Sequence, residues 1–278
     1  MNEIQTGAPA STSDTPEKAD GAAVEIKAAS VSIGDVNLLN NIDIRLAPLC
    51  VTGLIGPNGA GKSTLAKVVA RQLSLSSGEC RLKGKPYDAF GARDFARRIA
   101  YLPQSIPVAT GLTVYELVRT GRYPWHGALG QFSADDRAAV DEALAITGMD
   151  KLADRSTDTL SGGERQRCWI AMLLAQQASV LILDEPISAL DIRFQIETMN
   201  LVRSISRMRA VSILIILHDI NLAARYCDEI VALKEGRIAW RGPAASLIDP
   251  AVLEPIYDVR MTVHTAGVVK LAFPKLAD

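Results

Sequence analysis

Apolar and polar residues alternate from Val24 to Ile33, the period of a strand with one covered face, and residues 42–46 repeat that period. Three other runs are apolar without alternation: Val51–Ile55, 180–183 and 211–217. Unbroken runs of this length suit central parallel strands covered on both sides. The first ends in glycines and leads into a helix-compatible stretch at 62–73, the strand–turn–helix opening of an α/β unit. The other two each follow a long helical segment and end in polar residues, Asp184-Glu185 and His218-Asp219. Ligands of open parallel sheets gather at the carboxyl ends of strands, so three such ends point to one site.

The middle of the chain has another period. Residues 113–122, 133–149 and 161–177 are helical patterns with no strand between them. The first two open with the capping boxes Thr113/Glu116 and Ser133/Asp136. This predicts a helical subdomain at about 105–177, inserted between early and late strands of an α/β domain spanning 24–278. Glu235-Gly236, between apolar runs at 230–234 and 237–240, predicts a hairpin, and a further strand pair falls within 259–273. Residues 243–278 read as an accessory segment of helix and strand. Residues 1–23, rich in Pro, Ser, Thr, Gly and acids, read as a disordered arm with little to bury.

Composition narrows the class. Of 278 residues, 48% are hydrophobic and 22% charged, which suits a soluble globular chain. Thirty Lys and Arg against 31 Asp and Glu leave a net charge of −1, without the basic field that nucleic-acid phosphates require. A membrane span needs roughly 20 apolar residues in succession. The richest run, at 211–217, has seven and is interrupted by Ser212. The amino terminus has neither the basic start nor the apolar block of a secretory signal. Cys50, Cys80, Cys168 and Cys227 form no C-x-x-C pair, as suits reduced thiols in a cytosolic protein.

The chemistry begins at Gly56-Pro57-Asn58-Gly59-Ala60-Gly61-Lys62-Ser63-Thr64, which matches G-x-x-x-x-G-K-[ST]. Its glycines let backbone N–H groups turn inward around phosphate oxygens. Lys62 supplies a point charge for the β- and γ-phosphates, and the Ser63 hydroxyl suits Mg²⁺. The helix that follows adds its positive end. This loop predicts binding of a nucleoside triphosphate. Asp184 and Glu185 surface where a buried strand ends, and adjacent strand residues face opposite ways. Asp184 therefore suits the Mg²⁺ shell, and Glu185 suits an attacking water. His218 also ends a strand, whereas Gln104, alone, is a polar loop residue. In Leu160-Ser161-Gly162-Gly163-Glu164, Ser161 and Glu164 form a capping box. The two glycines leave bare N–H groups at a positive helix end, a second cradle for an anion. The simplest way for two such helix starts to act on one nucleotide is for two copies to meet.

In their order and spacing over roughly 24–242, the Gly56–Thr64 loop, the Ser161 turn, 180–185, Ser188-Ala189-Leu190-Asp191 and His218 resemble the ATPases of ABC transporters. The resemblance implies a P-loop NTPase (RecA-like) core with an antiparallel β subdomain and an inserted α-helical subdomain. It implies head-to-tail homodimers that sandwich two ATP molecules, each between one copy's Lys62 loop and the other's Ser161 turn, with Asp191 in the dimer-contact loop. It assigns Glu185 as general base, His218 as the γ-phosphate contact, and Gln104 as the sensor between Mg²⁺ and a polytopic membrane permease. A periplasmic or lipoprotein solute-binding protein would act indirectly, and the chain would lie on the cytoplasmic face of the inner membrane.

Two stretches, 120–125 and 162–172, resemble the importer ATPases for iron(III)–siderophore complexes, with haem and vitamin B12 importers nearby. In that reading 122–125 form a docking surface for the permease. Two positions depart from the family pattern. Ile33 stands where an aromatic usually stacks on adenine, which forfeits the face-to-face component and implies looser base selectivity. Ile187 stands where threonine is common. The rival readings are a soluble ABC ATPase of DNA repair or iron–sulfur assembly, a P-loop kinase of a small molecule, and a nucleotide switch without turnover. The absence of sustained heptads and the single cassette argue against the repair and translation-associated types.

Overall fold

The computed structural model describes residues 22–106, 109–127, 130–267 and 269–275. Its elements in chain order are β1 (Val24–Ile33), β2 (Val36–Leu46), β3 (Val51–Ile55), α1 (Lys62–Val69), β4 (Ser77–Leu82), β5 (Lys85–Pro86), α2 (Ala92–Ala96), β6 (Ile99–Leu102), α3 (Val114–Thr120), α4 (Tyr123–His126), α5 (Ala134–Thr147), α6 (Gly162–Ala175), β7 (Val180–Asp184), α7 (Ile192–Arg209), β8 (Ser212–Ile216), α8 (Ile220–Tyr226), β9 (Glu229–Lys234), β10 (Arg237–Pro243), α9 (Pro250–Tyr257), β11 (Met261–Ala266) and β12 (Val269–Pro274). Of the arm expected at 1–23, residues 1–21 lie outside the described residues. Ala23 is buried, and its amide donates to the Leu46 carbonyl at 2.8 Å.

Six strands form the central sheet in the order β10-β9-β3-β8-β7-β6, parallel except at the β10 edge. The unbroken apolar runs have a direct cause in this arrangement. In β8, Ile213 and Ile215 enter one core while Leu214 and Ile216 enter another. In β7, Leu181 and Leu183 face the first core, and Val180 and Ile182 face the second. Each side chain buried in this way stabilises by roughly 1.5–3 kcal/mol relative to exposure. The second core is closed by α1 and by the antiparallel sheet β2-β1-β4-β5. The first is closed by α3, α5 and α6 on the helical side and by α8 and α9. This is an α/β P-loop NTPase core with an antiparallel sheet and a block of helices.

Several elements differ from the expectations. The strand expected at 42–46 begins at Val36, because β1–β2 pairing runs through register shifts that disguise the period. The helix expected at 62–73 ends at Val69, where Arg71 turns left-handed with φ 57°. The helix expected at 113–122 stops at Thr120, and α4 follows it as a separate turn beyond the expected range. β4 and β5 have no counterpart among the expected strands, since only Leu82 among their residues is buried.

Register brings the carboxyl ends together. Leu54 pairs with Ile216, Asp184 with Ile216, and Leu102 with Leu183. Gly56, Gln104, Glu185 and His218 therefore emerge at one edge of the sheet.

Candidate active site

β3 delivers the phosphate loop against β9. A Cβ on Gly56 would lie 2.1 Å from the Leu233 carbonyl oxygen, and its φ of 140° also requires glycine. Gly61 ends the loop as the N-cap of α1, with no side-chain cap and no acid in the first turn. The first N–H groups of that helix are thus left for an anion. Asn58, Gly59 and Thr64 line the cleft above the loop, whereas Ala60 is buried and its amide donates to the Pro57 carbonyl at 3.2 Å. Lys62 is 6% exposed and donates to the carbonyls of Gly56 at 2.8 Å and Pro57 at 2.9 Å. Burial pulls its pKa below the ordinary value, and the nearby charges of Glu185 and Asp184 oppose that pull.

The two acids after β7 face different partners. Ser63 Oγ donates to Asp184 Oδ1 at 3.1 Å, and the Tyr101 hydroxyl donates to Oδ2 at 3.2 Å. Burial holds the Asp184 pKa above the usual carboxylate range despite these donors. Glu185 has φ 51°, so the strand's alternation no longer sets its direction. Its Oε2 accepts from Gln104 Nε2 at 2.7 Å, and its Oε1 lies 2.5 Å from His218 Nε2. Lys62, Ser63, Gln104, Glu185 and His218 share one cleft of about 630 Å³.

The donor set fits a hard divalent cation beside phosphates: the Ser63 hydroxyl, the Asp184 carboxylate and an amide oxygen. With its Nε2 engaged by Glu185, Gln104 has its carbonyl oxygen as the end that can face a cation.

The remaining candidates lie elsewhere. Ser161 and Glu164 line a second hollow of about 630 Å³ with Phe194, and among the described residues none borders both hollows. The capping box is formed: Ser161 N donates to Glu164 Oε2 at 2.8 Å, and Glu164 N donates to Ser161 Oγ at 3.3 Å. Asp191 caps α7, accepting from Phe194 N at 3.0 Å. The two glycines differ. Gly162 is exposed, and a methyl group added there would have only Leu190 Cδ2 nearby, at 3.9 Å. Gly163 is buried under Phe194, and its Cβ would meet that ring at 2.3 Å. In sequence both glycines read as an anion cradle; for Gly163, the Phe194 ring already opposes an added side chain.

Ile33 is 59% exposed at the β1–β2 turn and pairs across it with exposed Val36. Ile187 is buried in the first core, so an aliphatic side chain there has packing in place of a hydroxyl's hydrogen bond. The stretch 122–125 is only partly surface. Arg122 is 3% exposed and pairs with Asp136 at 2.8 Å, while Tyr123 and Trp125 remain exposed.

One residue bonded to the site, Tyr101, and one behind the phosphate loop, Tyr257, escaped the sequence reading. Tyr101 carries no motif, and only the β6–β7 pairing reveals it. Tyr257 comes from α9, far along the chain from the loop it approaches. Its buried hydroxyl has no hydrogen-bond partner among the described residues. The Gly56 N–H lies close enough to offset part of the burial that pushes its pKa up to about 12.

A family model described as ABC transporter matches residues 39–188. The achromobactin transport ATP-binding protein CbrD of Dickeya dadantii (strain 3937) is 40% identical over 237 residues, 85% of this chain and 88% of that protein. The ferric enterobactin transport ATP-binding protein FepC of Escherichia coli (strain K12) is 37% identical over 231 residues, 83% of this chain and 85% of that protein. Among solved structures, a metal-chelate type ABC transporter in an inward-facing conformation superposes with a TM-score of 0.80 at 19% identity, covering 92% of this chain and 98% of that one, which shows a shared fold.

Proposed function

The chain belongs to the ABC transporter family and is an ATP-binding ATPase, and on that premise we propose that it energises uptake of iron(III)–siderophore complexes through a polytopic membrane permease. The cargo class rests on the relatives, whose names specify achromobactin and ferric enterobactin transport. Among the described residues no helix is long and apolar enough to cross a membrane. In this reading the chain sits on the cytoplasmic face of the inner membrane as a peripheral subunit, and a periplasmic or lipoprotein solute-binding protein delivers the cargo.

One observation carries the enzymatic half: Glu185 is held between Gln104 and His218 beside Lys62 and Ser63. The loop amides and Lys62 bind the phosphates. Mg²⁺, held by Ser63, Asp184 and the Gln104 amide oxygen, would neutralise charge on the phosphoryl oxygens. Glu185 orients the attacking water and takes its proton, and His218 contacts the γ-phosphate. Each Glu185 oxygen accepts one donor, Gln104 or His218, and keeps a further lone pair with which to take a proton from water. The Ser161 turn borders a different hollow, which supports a site completed by the Ser161, Gly162 and Asp191 region of a second copy. Closure of two copies on ATP and their release after hydrolysis would then drive the permease.

The test is reconstitution with a siderophore permease in proteoliposomes. ATP hydrolysis stimulated by ferric siderophore with its binding protein supports the proposal. Stimulation by haem or cobalamin instead moves the cargo, and full activity without any permease favours a soluble ATPase.

A further inference from the structure

The accessory carboxy-terminal segment is attached to the catalytic edge at a point that no motif marks. Helix α8 begins directly after the His218-Asp219 pair, and its cap is Asp219, whose carboxylate accepts the N–H groups of Asn221 at 2.8 Å and Leu222 at 3.0 Å. The helix has seven residues, too short to hold its own direction. Its Ala223 and Tyr226 pack into the first core, and the side chain of Asn221 ties it to β12. Its Nδ2 donates to the Ala272 carbonyl at 3.1 Å, and its Oδ1 accepts the Ala272 N–H at 2.9 Å. The amide thus satisfies both backbone groups of one β12 residue, as a neighbouring strand would.

Ala272 is a fixed point. It is 2% exposed within the first core and pairs with Val263 across the β11–β12 hairpin. That hairpin belongs to neither larger sheet. It is tied to α9 through Met261 N and Glu254 Oε1 at 2.9 Å. α9 is tied in turn to β9, because Lys234 Nζ donates to the Pro255 carbonyl at 2.7 Å and to Asp258 at 2.6 Å. A continuous path of packed elements therefore runs from β9, which braces Gly56, through α9 and the hairpin to the residue three positions after His218.

We propose that Asn221 is a positioning residue for His218: by gripping both backbone groups of Ala272 it fixes α8 to the carboxy-terminal hairpin, and with it the direction in which His218 reaches Glu185 and the γ-phosphate. The proposal rests on the reading of His218 as the γ-phosphate contact. A catalytic group displaced by about 1 Å can lose as much as 10²-fold in rate while substrate binding elsewhere is kept. In the proposed mechanism the Lys62 loop holds the phosphates, whereas the Asn221 side chain bonds to Ala272, so the cost should fall on turnover.

The experiment uses the full chain with Asn221→Ala and with Asn221→Asp, which keeps the acceptor for the Ala272 N–H and loses the donor. Steady-state ATPase kinetics are read together with the imidazole resonances of the three histidines, the His218 signal being assigned by its loss in His218→Ala. The expected result is a kcat about tenfold lower for Asn221→Ala with KM for ATP changed less than twofold, a shifted His218 resonance, and an unmoved His126 resonance. Asn221→Asp should fall between the two, and it carries the test if Asn221→Ala does not fold. Unchanged kcat, or kcat and KM worsening together with the His218 resonance in place, overturns the proposal in favour of a purely structural tie. His218→Ala separates this from the wider reading. Wild-type turnover there refutes the role of His218 itself, whereas a collapsed His218→Ala beside an unimpaired Asn221→Ala refutes only the positioning.

Discussion

The Nε2 of His218 stands 2.5 Å from Oε1 of Glu185, joining residues that end two different strands of the central sheet. The contact exists because β7 and β8 are neighbours in parallel register, with Asp184 opposite Ile216. Glu185 is 9% exposed in its side chain while His218 is 44% exposed, so the acid is held and the histidine is the accessible partner. In the proposed mechanism it is His218, rather than the buried acid, that moves to meet the γ-phosphate.

Glu185→Gln keeps the shape of this contact and removes the base. ATP binding should persist while turnover falls by about 10²–10⁴-fold, the usual span of general-base assistance. Single-turnover hydrolysis beside equilibrium nucleotide binding checks this. Near-normal hydrolysis would remove Glu185 from the role.

Gly163→Ala should destabilise the chain even without nucleotide, because the added methyl lands 2.3 Å from the Phe194 ring. Overpacking of this kind costs about 1–3 kcal/mol. Thermal unfolding of Gly163→Ala, Phe194→Ala and the double variant decides the matter. The double variant should recover part of the loss, which an exclusively anion-binding role for Gly163 would not produce.

Arg122 and Asp136 form a buried pair with side-chain exposures of 4% and 6%. Burial opposes the Asp136 charge, but the Ser133 N–H, the Ser133 hydroxyl and Arg122 outweigh it and hold the carboxyl below its ordinary value of 3.8. A lowered folded-state pKa contributes stability above the unfolded value that is lost as pH falls below it. Arg122→Ala should therefore cost about 3–5 kcal/mol at neutral pH. That gap should narrow as the pH is taken below 3.8. Denaturant unfolding at neutral and acid pH measures it, and a gap independent of pH would mean that the ion pair is not its source.

Ile33 is exposed and paired with Val36, and we propose that it takes the place of the adenine-stacking aromatic and offers a nucleotide base an aliphatic surface. Ile33→Tyr should strengthen ATP binding by about two- to tenfold, the range of an aromatic pair beyond its buried area. Competition of ATP and GTP for the unaltered chain should show weak preference. Strong preference for ATP there would refute the role given to Ile33.

The sequence exposes the central strands because burial on both faces leaves a direct trace: β3, β7 and β8 have no polar alternation to interrupt them. The phosphate loop is equally legible, since its spacing follows from backbone geometry within nine residues. The parts that stayed hidden depend on distant pairing. β4 buries little beyond Leu82, and its place comes from pairing with β1. Tyr101 reaches Asp184 only through the β6–β7 register, and Asn221 reaches Ala272 across a separation that local periodicity does not encode. Phe194 shows the same limit from the other side: a glycine pair that reads as an anion cradle has one member fixed by a ring from another helix.

In the proposed mechanism two copies complete each nucleotide site, and the mass of Glu185→Gln in solution with saturating ATP is the decisive quantity. Sedimentation equilibrium should give a dimer with ATP and a monomer without it. Adding Gly162→Asp, at an exposed position with open space around it, should return the protein to a monomer that still binds ATP. A Glu185→Gln chain that remains monomeric when saturated with ATP, or a dimer indifferent to Gly162→Asp, would refute the shared site.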